Sequence, residues 1–101
     1  MDKYDVHEEL CKKLNSLYRA KNPDYGDSFY YIRKKHPNAI LIRLEDKFRR
    51  VEAILENPEL RNVKDETIED TLFDLACYAL MEITERRMEK QITWKEVKTR
   101  G

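Results

Sequence analysis

Val6, Leu10, Leu14, Leu17 and Tyr18 recur at the spacing that stacks side chains on one face of a helix, and they predict a first helix over residues 4–21. Ile40, Leu41, Leu44, Phe48, Val51 and Leu55 repeat the pattern. They predict a helix over residues 39–57, with Asn38 as its N-cap and these side chains as its core face. Ile68, Leu72, Leu75, Ala79 and Ile83 share one side of a longest helix over residues 65–89. Acids crowd the start of that helix, and Arg86, Arg87 and Lys90 lie near its end, the polarity the helix dipole favours. Between the first two long helices, residues 22–28 read as a loop, and 29–35 as a short helix stopped by Pro37. Thr93 and Glu96 have capping-box spacing and predict a small terminal helix. Glycine occurs only at 26 and 101, and proline only at 23, 37 and 58, so little interrupts helix formation. The expected fold is all-α: a small bundle of three to four main helices plus short helical segments. One helical domain is expected over residues 1–90, with a tail over 91–101.

Composition narrows the picture. Hydrophobic residues make up 41% of the 101, enough for a core and too many for global disorder. A chain this short builds a thin core, so a homo-oligomer is expected. Twenty basic and twenty acidic residues cancel, which argues against general attraction to nucleic-acid backbone. No apolar run approaches the ~20 residues of a membrane span, and "MDKYDVHEEL" does not read as a secretory signal. Cys11 and Cys77 sit inside helical patterns, which predicts reduced, partly buried thiols and a cytoplasmic protein. His7 and His36 lack ligand-like spacing, and no phosphate loop, zinc pattern or nucleophile elbow is present.

Charge placement supplies the candidate chemistry. Glu66, Asp70 and Asp74 are spaced four apart, nearly opposite the apolar stripe of the longest helix. "LACYALM" carries no charge around its whole circumference, so this stretch should be covered on more than one side, with the acids beside that second contact. Arg43, Lys47 and Arg50 run along one shoulder of the 39–57 helix, with Asp46 close by. Two readings stay open. The rows could form interhelical salt bridges. Alternatively the cations could clamp phosphate while the acids hold Mg²⁺, with the ion bridging to a nucleotide.

The stretch "KNPDYGDSF" admits two readings as well. Pro23 and Gly26 suit a tight turn, Asn22, Asp24 and Ser28 can bond nearby backbone, and Ser28 can cap the short helix. The same residues with Tyr25 could also offer an aromatic wall and polar edge to a base.

"KNPDYGDSF", "RLEDKFRR" and "VKDETIEDTLFDLACYALM" together resemble the nucleotide modification associated domain 1 family, small proteins common in phages and prophages. The likeness spans roughly residues 4–85. It implies an intracellular helical domain tied to nucleotide metabolism or DNA-base modification. It also implies a candidate ligand site of Lys21, Asn22, Asp24, Tyr25, Gly26, Ser28, Arg43, Asp46, Lys47 and Arg50, with Glu66, Asp70 and Asp74 for metal. A more distant similarity is to MazG-like all-α nucleotide pyrophosphohydrolases, in which helical acid pairs bind Mg²⁺. Here Thr71 stands where their motif carries an acid three residues before Asp74, so binding without turnover is as open as hydrolysis. The alternative is a non-enzymatic phage protein that inhibits a host defence protein or sequesters a signalling nucleotide.

Overall fold

Four helices and no strand follow one another among the described residues, as the patterning predicts. The computed structural model describes residues 1–24, 26–57 and 68–100, with side chains through Gln91. The chain divides into two units, Met1–Pro37 and Asn38–Gly101.

The first unit holds α1 (Lys3–Asp24) and α2 (Ser28–Lys35). The sequence places the end of α1 at residue 21, but the helix continues through Pro23 to Asp24. Proline's fixed φ is compatible with a helix, and in the last turn it forfeits only one backbone bond. No side chain of α1 is buried, and Phe29 on α2 is the buried apolar side chain among the described residues of this unit. Cys11 is exposed, its Sγ 3.8 Å from His7 Nδ1, and not partly buried as its place in the pattern suggests. Both cysteines are free.

The second unit holds α3 (Ala39–Glu56) and α4 (Ile68–Arg100). At 33 residues, α4 is about 50 Å long. It passes unbroken through Thr93, so the Thr93–Glu96 spacing starts no new helix. No proline or glycine lies between Ile68 and Arg100 to stop it.

Lys47 meets Asp74, and Arg43 lies over Tyr78. Moving back four residues on α3 moves forward four on α4, so the two helices are antiparallel. The face α3 turns to α4 therefore carries Arg43 and Lys47, and α4 answers with Asp74 and Tyr78. Among the described residues, Thr71 and Glu82 are the buried polar side chains of α4, and Ala39 is the buried apolar side chain of the unit.

This arrangement corrects part of the expected core: Ile40, Leu44, Val51, Ile68, Leu75 and Ala79 are half-buried, and the rest of both stripes is exposed. Leu41, Phe48 and Leu55 are 63%, 56% and 52% exposed, and on α4 Leu72 and Ile83 are 48% and 47% exposed. Helical geometry explains the difference. At ~100° per residue, the apolar stripe of α3 is turned roughly 100° from its charged row, and that of α4 lies nearly opposite its acids. A neighbouring helix covers only part of this circumference: Lys47 meets Asp74 and Arg43 lies over Tyr78, while Leu44, Val51 and Leu75 are half-buried.

Candidate functional site

The α1–α2 turn is built almost entirely from backbone accounting. The last carbonyls of a helix need donors. The Asp27 N–H donates to the Asn22 carbonyl at 3.1 Å, and the Gly26 N–H donates to the Pro23 carbonyl at 3.0 Å. This pair of bonds is a Schellman cap with Gly26 in the left-handed position. Gly26 has φ 60°, and Asp27 follows with φ 57°. A side chain at Gly26 would meet nothing within 4 Å, so glycine is required by conformation and not by space.

The Asn22 side-chain amide donates to Asp27 Oδ1 at 3.1 Å, which ties the two ends of the turn together. Asp27, and not Ser28, is the N-cap of α2. Its carboxylate faces back to Asn22 and makes no side-chain cap bond to the helix. Sequence reasoning missed Asp27, although an Asp one residue before a helix start is a recognisable cap signal. Lys21, Asp24 and Ser28 are exposed beside the turn, and Tyr25 lies outside the described residues. Further along α2, the Lys34 ammonium sits 4.6 Å from the Tyr30 ring centre. A hydrogen bond to Tyr30, reinforced by its charge, raises the Lys34 pKa.

The α3–α4 seam is built differently. Lys47 Nζ lies 3.5 Å from Asp74 Oδ2, with the lysine side chain 17% exposed and the aspartate 50% exposed. The lysine stem is packed while the carboxylate opens to solvent. One turn away, the Arg43 guanidinium carbon lies 5.9 Å from the Tyr78 ring centre, within cation–π range. Arg50 is half-buried on the same row, while Asp46 and Asp70 are exposed. Buried Glu82 accepts from Arg86 Nε at 2.6 Å, one turn on in the same helix. No buried side-chain nitrogen or oxygen among the described residues lacks a partner.

The fold thus brings Lys47 and Asp74 together, and places Arg43 in the same seam. Sequence reasoning missed Tyr78 and Glu82. The uncharged "LACYALM" segment hid Tyr78, whose ring serves as a cation acceptor. Glu82 and Arg86 carried a readable i, i+4 pairing signal. Glu66 of the acidic trio lies outside the described residues, and among the described residues no group of three His, Cys, Asp or Glu is placed to hold a metal ion. Asp70 and Asp74, one turn apart on α4, match the one or two carboxylates from which Mg²⁺ is commonly held beside a phosphate. No helix among the described residues is long and apolar enough to cross a membrane.

Residues 21–85 match the family described as nucleotide modification associated domain 1. The matched span takes in the turn, all of α2 and α3, and the first half of α4. No curated protein matches the chain, and no solved structure does.

Proposed function

Because this chain belongs to the nucleotide modification associated domain 1 family, we propose that it binds a nucleotide along the α3–α4 seam. Arg43, Lys47 and Arg50 contact the phosphates. Asp70 and Asp74 hold Mg²⁺, which supplies charge neutralisation between the carboxylates and the phosphate oxygens when bound.

The observation that carries this reading is the Lys47–Asp74 pair. A 3.5 Å contact to a carboxylate that is 50% exposed is a weak ion pair, worth about 0–1 kcal/mol. Phosphate can replace the carboxylate at the lysine at little cost, and the displaced aspartate is then available to a cation. Each partner holds the other's place while no ligand is present. The arginine row adds fork-shaped donors, which suit phosphate oxygens better than a point charge alone.

Binding without turnover is the form we favour. The position three residues before Asp74, where pyrophosphohydrolases carry an acid, is Thr71, and its side chain is buried.

Thermal unfolding with a panel of nucleoside mono-, di- and triphosphates, with and without Mg²⁺, tests the proposal. A ligand that binds only the folded state must raise the melting temperature. The expected result is a rise with at least one nucleotide, larger with Mg²⁺ and lost in Lys47→Ala. A panel with no shift for any nucleotide refutes the reading.

A further inference from the structure

The chain's net charge of zero conceals a segregation. Residues 10–37 carry seven basic and two acidic side chains, a net of +5, and the rest of the chain carries −5. The two acids, Asp24 and Asp27, both stand at the α1–α2 turn, and α2 itself holds Arg33, Lys34 and Lys35 with no acid. A chain that is neutral as a whole is therefore basic in one place, and a basic patch attracts anions locally whatever the total.

The helix sorts these residues by face. At ~100° per residue, Phe29 and Tyr31 point to nearly opposite sides of α2. Phe29 is buried, so the face around Tyr31 is the outward one, and Tyr31 is 61% exposed. That face carries Tyr30, Tyr31, Lys34 and Lys35, each tyrosine one turn before a lysine. The Tyr30 and Tyr31 rings meet edge to face, with centres 5.1 Å apart and planes at 77°. Tyr30 is half-buried and carries the Lys34 ammonium 4.6 Å from its ring centre, while Tyr31, Lys34 and Lys35 are exposed.

Cations in a last turn suit the helix dipole, and that alone accounts for the lysines. It does not account for the tyrosines. An exposed aromatic ring braced by a second one, with ammonium groups one turn on, offers a flat surface to a base and charge to its phosphate. A membrane surface calls for larger apolar side chains beside the cations, and this face has two phenols instead.

We propose that this face of α2 binds single-stranded nucleic acid, with a base stacked on Tyr31 and with Lys34 and Lys35 on neighbouring phosphates. Bases inside a duplex are already stacked on one another and cannot reach the ring. The face shares no residue with the α3–α4 seam, so it stands or falls apart from the nucleotide reading.

Fluorescence anisotropy of a labelled oligothymidylate of about ten nucleotides, titrated with the full chain, tests the proposal. Saturable binding is expected, weaker for a duplex of the same length. About two phosphate contacts on a single strand predict an affinity that falls roughly 7-fold between about 50 and about 200 mM salt. Lys35→Gln is expected to halve the slope of that dependence on a logarithmic plot. Tyr31→Ala is expected to weaken binding at least about 5-fold, the low end for one stacked base, with helical circular dichroism retained. Tyr31→Phe keeps the ring and is expected to bind as wild type does. Arg87→Gln removes an exposed cation from α4 and is expected to change nothing. No anisotropy change at low salt overturns the proposal, and so does a folded Tyr31→Ala variant that binds as tightly as wild type. Co-sedimentation with phosphatidylserine vesicles in place of oligonucleotide binding also overturns it.

Discussion

The α1–α2 turn and the α3–α4 seam are both dense in polar residues, and they use them in opposite ways. In the turn, Asn22, Gly26 and Asp27 close a helix end: backbone donors meet backbone carbonyls, and one side-chain bond locks the loop. These groups serve the chain itself, and little of their bonding capacity is left for anything else. In the seam, Lys47 and Asp74 face each other across two helices through a contact open to solvent on one side. A group engaged with backbone in a cap is costly to displace, whereas a half-exposed ion pair exchanges readily. Polar density alone therefore does not mark a binding site; the seam is the better candidate because its bonds are the weaker ones.

Substitutions can break this contrast. The largest effect is expected in the seam and on binding. Lys47→Ala should abolish the nucleotide-dependent rise in melting temperature, while calorimetric affinity falls at least 10-fold. Unliganded stability should change by no more than about 1 kcal/mol, because the pair is partly exposed. A variant that lost several kcal/mol of stability with affinity intact would make the seam a structural device like the turn.

Gly26→Ala comes next and tests the turn. It should cost about 1–2 kcal/mol in urea unfolding, the penalty for a β-carbon in a left-handed conformation. Because open space surrounds the position, the cost is conformational, and nucleotide affinity should stay unchanged. Asn22→Ala should cost about 0.5–1.5 kcal/mol through loss of its bond to Asp27, again with affinity intact.

The smallest effect lies on α2. Tyr30→Phe should bring the raised pKa of Lys34 back toward the ordinary lysine value, as read by NMR titration of the side chain. A raised lysine pKa adds stability below the ordinary lysine value. That contribution fades as pH climbs through the raised one.

Much of the fold was legible in the chain. Pro37 and the Pro23–Gly26 pair mark the breaks on either side of α2, and the apolar spacing assigns the helices they separate. The end of α1 was misplaced by three residues because Pro23 reads as a breaker, yet its carbonyl serves inside the cap. The facing of α3 and α4 was not legible. The charged row and the apolar stripe lie about 100° apart on α3 and nearly opposite on α4, and either can meet a neighbour. Which one does depends on partners that a single helix's pattern does not contain. The salt-bridge reading was available from Arg43, Lys47 and Arg50 against Asp70 and Asp74, but spacing could not choose between it and a solvent-facing row.

The unbroken length of α4 has one more consequence. In the pairing that sets Lys47 against Asp74, Ala39 stands opposite Glu82, so from about Arg86 onward α4 extends past the start of α3. A free peptide of that length would be a marginal helix, because starting the first turn is the unfavourable step. Here the paired half of α4 has already taken that step, and each further residue only extends an existing spiral. The terminal segment inherits its order from upstream: excised, it should unravel in water, while the same residues left in place stay wound.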